Sequence, residues 1–285
     1  MEQIKSTSLK LRWLNAQCFE IKLPNGKTIL TDPTLRDPLP DSEKGRKYKI
    51  PDFSIDQLEG ADYIIINHTH GDHIMDVGEV CKRFGSVVIC HERCALELAD
   101  FFDIPYTSVF PVSTNDRYDF GDFVLDCYHG MHRAAPEKPS DKKDPAMRDF
   151  GVPGMVELGH LGSIFNFNFV ITTRGNFKIG FSAGDYFEDL AEKWKNIRPN
   201  LVLRHRLKKG DSAVKLFADV LEKTGAQILM PMHHEDWVLD DPGYTEECMN
   251  AVNVLMEQKG ISGRAFSQQR CKWYEIALGI QDVND

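Results

Sequence analysis

Six residues, His68-Thr-His-Gly-Asp-His73, put three imidazoles and a carboxylate into one short stretch. Imidazole nitrogen and carboxylate oxygen are the donors that zinc and its first-row neighbours accept. A lone histidine in such a place reads most simply as a satisfied core residue. Packing demands no such cluster, and the stretch reads as a metal site. Ile64-Ile-Ile leads into it, an apolar β-branched run that predicts a buried strand stopping at the loop. Open α/β architectures place their ligand sites at such strand ends.

Three further strand ends carry donors of the same kind. Residues 117–128 predict a strand or hairpin running into His129-Gly-Met-His132-Arg133. Residues 163–173 and 178–183 predict a hairpin ending at Gly184-Asp185, and residues 227–232 a strand ending at His233-His234. Taken singly, His233 is as well read as a surface or core histidine and Asp185 as a turn residue. Their equivalent position along separate strands weights them toward one site on the rim of a sandwich. Thr28-Ile-Leu-Thr predicts a strand closed by Asp32-Pro33, where Asp32 is either a plain turn aspartate or a group behind the ligands.

The elements that must hold these residues follow from periodicity. Strands at 9–14, 18–23 and 28–31, with a turn at Asn25-Gly26, predict an antiparallel meander. Ser54 is placed to cap a short helix. A strand at 64–66, a helix at 74–84, a strand at 87–90 and a helix at 91–102 predict parallel pairing. The second half repeats that order: a hairpin, a helix at 187–196, a strand at 201–203, a helix at 212–224, then the strand before His233. A helix at 245–259 and a closing strand at 271–278 follow. The expectation is an α/β fold of two sheets packed face to face with helices outside, residues 1–285 forming one domain. Residues 133–159 hold four prolines and no apolar period, which predicts a long loop able to act as a lid.

The stretch His68-x-His-x-Asp-His73 resembles the signature of the metallo-β-lactamase superfamily of metal-dependent hydrolases. His132, Gly184-Asp185, Pro231-x-His233 and the early Asp32-Pro33 resemble its remaining motifs, in order. The ending Pro231-Met-His-His-Glu-Asp-Trp237 and the chain length look most like the ascorbate-6-phosphate lactonase-like branch. This resemblance implies a four-layer αββα sandwich with two mixed sheets and a centre of two divalent metal ions, zinc or manganese. It implies one ion on His68, His70 and His132, with His129 the alternative third ligand. The other would lie on Asp72, His73 and His233, with Asp185 bridging. Asp72 is then the catalytic residue, orienting a metal-bound hydroxide for attack, and His234 lies beside the centre, facing substrate. His70 stands where the di-iron oxygen-reducing relatives carry Glu, which points away from redox chemistry. The implied substrate is a small ester, a lactone (a sugar-phosphate lactone among them) or a phosphoester. Two other readings compete: a phosphodiesterase acting on nucleotides or lipid headgroups, and a non-catalytic metal sensor or scaffold. Lactonase-like relatives also imply a homo-oligomer.

Composition narrows the partners. With 34 basic and 43 acidic residues the formal charge is −9, which disfavours long nucleic acids and anionic membranes. Arg133, Arg204 and His205 are local groups placed to receive an anionic small-molecule substrate, whereas Lys208 and Lys209 read as solvated charge. The first residues lack a signal-peptide pattern, and no apolar run approaches the roughly 20 residues of a membrane span. Seven scattered cysteines predict free buried thiols in a reducing compartment, the cytoplasm.

Overall fold

Alternation along the strands decides the architecture. The structure, a computed structural model, describes residues 8–36, 51–130, 152–184, 188–206 and 209–276. The expected residues His132, Arg133 and Asp185, and most of the expected lid, lie outside the described residues.

In chain order the first half contains β1 (Leu9–Asn15), β2 (Cys18–Lys22), β3 (Thr28–Thr31) and β4 (Tyr63–Ile65). Then come α1 (Gly71–Ile74), α2 (Val77–Phe84), β5 (Val87–His91), α3 (Ala95–Phe102) and β6 (Val109–Val112). The second half contains β7 (Arg117–Asp119), β8 (Phe123–His129), α4 (Met155–Ile164), β9 (Phe167–Thr173) and β10 (Lys178–Ser182). It continues through α5 (Glu188–Ile197), β11 (Leu201–His205), α6 (Asp211–Thr224), β12 (Ile228–Met232), α7 (Glu235–Asp240) and α8 (Tyr244–Gln258). Two short strands, β13 (Arg264–Ala265) and β14 (Tyr274–Ile276), close the described chain.

The strands form two seven-stranded sheets, in the orders β14-β1-β2-β3-β4-β5-β6 and β13-β12-β11-β10-β9-β8-β7. Each sheet combines antiparallel and parallel pairs, so both are mixed. Successive side chains on a strand face opposite sides. Leu11, Trp13, Phe19, Ile21 and Ile65 of the first sheet therefore meet Leu125, Phe169, Phe181, Leu203 and Met230 of the second in a central core. Their neighbours Leu14, Leu30, Ile64 and Val88 turn outward, under Val77 and Val80 of α2, Leu98 of α3 and Leu158 of α4. On the far side Val170, Val202 and Leu229 lie under Trp194 of α5, Phe217 and Leu221 of α6, and Val252 of α8. The result is helix, sheet, sheet, helix, the four-layer sandwich expected from the element order. Burying both faces of a sheet is also why these strands read as nearly continuous apolar runs.

Two expectations are corrected. Gly71 to His73 do not sit in a plain loop but form the first turn of α1, so Asp72 and His73 project from a helical start. The predicted loop ends early: residues from Met155 onward are helical, and Ser163 and Ile164 belong to α4 rather than to the following strand. Gly159 and Gly162 hide the helical pattern, and the structure gives Gly162 a reason. A Cβ there would come within 2.5 Å of Thr69 N, because α4 lies directly on the histidine loop.

Burial governs the cysteines, six of which are buried and all of which are free. It pushes Cys94 and Cys248 up to about 11, and Cys18 and Cys90 well above the ordinary thiol range. Alkylation at pH 8 followed by mass spectrometry is expected to leave these four thiols unmodified in the folded protein and to label all seven cysteines after denaturation. Gly162→Ala is expected to cost about 1–3 kcal/mol by forcing α4 off the loop, read as a lowered thermal midpoint.

Candidate metal centre

The expected histidines of the first motif and His233 converge. Strand β4 continues through Ile66 and Asn67 and delivers His68 and His70, both buried, at the rim between the sheets. His73 follows one turn into α1 and is buried. From the second sheet, β12 ends at Met232, and His233 takes a left-handed backbone, φ +56°, that turns its side chain to the same point. The ring of His73 lies 3.9 Å from that of His68 and 5.4 Å from that of His233, centre to centre.

Asp72 stands between the histidines. Its Oδ2 is 3.4 Å from His233 Nε2, and its Oδ1 is 3.7 Å from His73 Nε2. Donors about 2.0–2.1 Å from a tetrahedral zinc sit roughly 3.4 Å from one another, so these three donors fit one divalent ion. Donor atoms of Asp72, His73 and His233 all fall within 4.8 Å of one another. The same holds for Asp32, His68 and His73, but there Asp32 approaches Nδ1 of His73, the side turned from Asp72. Asp32 backs a ligand.

Each of these imidazoles is held by a second group. His68 Nδ1 is 2.8 Å from Asn67 Oδ1, and Asn67 in turn donates its amide to Phe167 O. His73 Nδ1 donates to Asp32 Oδ2 at 3.0 Å, and His233 Nδ1 to Glu235 Oε1 at 2.9 Å. His70 Nε2 lies 2.7 Å from Ser163 Oγ. Carboxylates and amide oxygens only accept, so His68, His73 and His233 carry their proton on Nδ1 and turn Nε2 inward. Outer groups of this kind orient metal ligands and raise their basicity. Sequence reasoning anticipated Asp32 in this role but gave none to Asn67, Glu235 or Ser163.

The charges around the cluster call for a cation. Burial alone would raise the Asp72 carboxyl, but His73, His233 and His70 outweigh it and hold it far below the ordinary carboxylate range. Burial works against a charged His233, yet Glu235 and Asp72 overcome it and raise that imidazole to about 10. Two carboxylates thus draw positive charge to the position where the donors converge.

The remaining candidates are placed less centrally. His129 ends β8 in an exposed position, paired across the sheet with Phe167. His205 ends β11 with its ring 4.9 Å from that of His233, and burial and that neighbour hold it neutral. Arg204, expected to meet an anionic substrate, is instead fully buried. Its Nη1 donates to Ser182 O, Ser182 Oγ and Gly184 O at 3.0–3.1 Å, so it fixes the strand end that precedes residue 185. His234, expected beside substrate, is fully buried and stacks on Trp13, ring centres 4.1 Å apart. Burial holds it neutral, at about 3.

Comparison with known proteins agrees with this geometry. Residues 10–167 match the family model of the β-lactamase superfamily domain. A metal-dependent hydrolase of the UPF0173 group from Thermodesulfovibrio yellowstonii is 31% identical over 80 residues, 28% of this chain. The match spans 27% of that relative's own length. Among solved structures, the fold is similar to Igni18, a metallo hydrolase from Ignicoccus hospitalis, with TM-score 0.66 and 15% identity over 96% of this chain and 100% of that one. It is also similar to the isothiocyanate hydrolase from Delia radicum gut bacteria, with TM-score 0.60 and 13% identity over 94% of this chain and 99% of that one. The family match, which covers more than half of the chain and includes the histidine cluster, establishes that this protein belongs to the β-lactamase superfamily.

Proposed function

We propose that the chain is a metal-dependent hydrolase acting on a small ester or lactone through a centre of two divalent ions, zinc or manganese. His68, His70 and a third histidine, His132 or His129, would hold one ion; Asp72, His73 and His233 would hold the other, and Asp185 would be shared between them. The observation that supports this best is the spacing of Asp72 from His73 and His233, 3.7 and 3.4 Å, with each imidazole oriented from behind. A divalent ion held there would supply Lewis acidity, activating water for attack near neutral pH.

The protein's own groups do the rest. Asp32 and Glu235 are 0% and 13% exposed and each is spent on an imidazole, whereas Asp72 keeps 30% of its side chain open to solvent. Asp72 is therefore the carboxylate able to orient an attacking water and pass its proton outward. The relatives named above are called hydrolases, which supports hydrolysis over a scaffold. Arg204 is fully buried and holds Ser182 and Gly184 through Nη1, so it is not the exposed anion receptor a phosphoester reading would call on, which supports a carbonyl centre.

Removal of metal with a chelator is expected to abolish hydrolysis, and zinc or manganese to restore it. Activity that survives chelation overturns the proposal. Asp72→Ala is expected to keep the wild-type circular dichroism and lose about 10²–10⁴-fold in kcat/KM, the usual range for a positioned proton-transfer group. Asp32→Asn is expected to weaken metal binding about 10–100-fold in chelator competition, through the ring of His73 and the backbone before His68. A screen of lactones, acyl esters and phosphodiesters decides the substrate, and turnover confined to phosphodiesters overturns the carbonyl reading.

A further inference from the structure

Away from the histidines, the two sheets end together along one side of the sandwich. Among the described residues β6 closes the first sheet and β7 the second. An aromatic row joins them: the ring of Phe110 in β6 lies 5.7 Å from that of Tyr118 in β7 and 4.9 Å from that of Phe120, centre to centre. Phe110 is nonetheless 39% exposed, so the row is only partly covered. An open strand edge offers its backbone N–H and C=O groups to another chain. Strand β6 carries Pro111, which has no N–H to offer. Strand β7, Arg117-Tyr118-Asp119, has no proline. Its pairing with β8 decides which of its groups face outward. Phe120 N donates to Phe123 O at 3.0 Å and Cys127 N to Asp116 O at 2.9 Å, with Tyr118 opposite Leu125 between them. Residues 116, 118 and 120 therefore direct their backbone groups to β8, and in an antiparallel ladder the residues between them turn theirs the other way. Arg117 and Asp119 present N–H and C=O at the open edge. Their side chains share one face of the strand, are 66% and 61% exposed, and carry opposite charges.

We propose that β7 is a docking edge for a second copy of this chain, paired antiparallel about a two-fold axis through Tyr118. The register follows from the outward groups. Arg117 exchanges backbone hydrogen bonds with Asp119 of the partner subunit, Asp119 with Arg117 of the partner subunit, and the two Tyr118 residues face each other between them. Each charge then meets its opposite across the strands, the arrangement that stabilises a ladder. Sliding by two residues, the smallest shift that keeps outward groups paired, sets arginine against arginine or aspartate against aspartate. Edge charges commonly guard a strand against pairing; here their alternation admits one partner in one register. Both groups also keep their own contacts: Arg117 Nη1 is 3.3 Å from Asp126 Oδ1, and Arg174 holds Asp119 while donating to Gly121 O at 2.7 Å. A guanidinium has five N–H donors and a carboxylate about four acceptor sites, so each has capacity for the second chain. The contact is closed and self-complementary, and it covers Phe110 beside the axis. It does not depend on the metal reading.

Sedimentation velocity over a concentration series is expected to show the wild-type chain as a reversible dimer. Arg117→Asp sets like charges against each other at both crossings, and so does Asp119→Arg. Each is expected to weaken self-association on the order of tenfold or more, with circular dichroism confirming that both variants are folded. Mixing the two variants in equal amounts is expected to restore a dimer, because one edge is then wholly acidic and the other wholly basic. Amide hydrogen exchange at Arg117 and Asp119 is expected to slow as the wild type is concentrated, and to stay unchanged in either variant alone. A wild type that sediments as a monomer at every concentration overturns the proposal. So does a dimer that both substitutions leave intact, or a mixture of the two variants that remains monomeric.

Discussion

One buried carboxylate organises the rim of this sandwich. Asp32 is fully buried at the end of β3, where its Oδ1 accepts from Asn67 N at 2.6 Å and its Oδ2 from His73 Nδ1 at 3.0 Å. A buried charge is costly unless hydrogen bonds satisfy it. Burial does raise this carboxyl, while His73 and the Asn67 amide work against the rise. The two bonds have different consequences. The first fixes the backbone just before His68; the second fixes the ring of His73. The same group thus sets where the donor loop begins and how its last imidazole is turned.

The second sheet is tied to this point through backbone rather than charge. Ala16, in the turn between β1 and β2, accepts from His233 N at 2.8 Å and from Trp13 Nε1 at 3.0 Å. Ala16, Asp32 and His233 all have left-handed backbones, with φ of +40°, +39° and +56°. Such conformations cost non-glycine residues about 1–3 kcal/mol each and persist only where their surroundings impose them. Here the imposing structure is the central core, with Trp13 buried beneath the turn and stacked on His234. His234 accordingly acts as a packing element against Trp13 rather than a substrate-facing group.

Legibility from sequence divides along physical lines. Strand alternation, the Asn25-Gly26 turn and the repeated order of elements were sufficient for a two-sheet sandwich, because periodicity is a local property. The six-residue donor cluster and His233 were legible for a similar reason: their chemistry is unusual at the end of an apolar run. Ser163 was not, because its partner His70 is distant in the chain and a serine near a helix end carries no signal of its own. Helix α4 was missed because the glycines that let it approach the donor loop also dilute its amphipathic pattern. Arg204 misled for the opposite reason. A cation at a strand end suggests an anion site, whereas only the fold reveals that the carbonyls of Ser182 and Gly184 turn inward to meet it.

Those carbonyls tie neighbouring strand ends of the second sheet together. The first sheet supplies its donors within one continuous loop, whose geometry Asp32 and Asn67 set from inside the same sheet. Among the described residues the second sheet contributes His233 after β12, with His205 beside it at the end of β11. The parallel pairing of β10 with β11 and of β11 with β12 aligns Ser182 with Arg204, and His205 with Met232. Arg204 then draws in the turn after β10 by three hydrogen bonds, and a bond to a charged donor is worth about 1.5–3 kcal/mol. A guanidinium buried on that scale is justified where the position of one strand end relative to the next must be held closely. Hydrophobic packing alone fixes a strand's face but leaves the exit of its last residues free, and it is the exits that carry the donors.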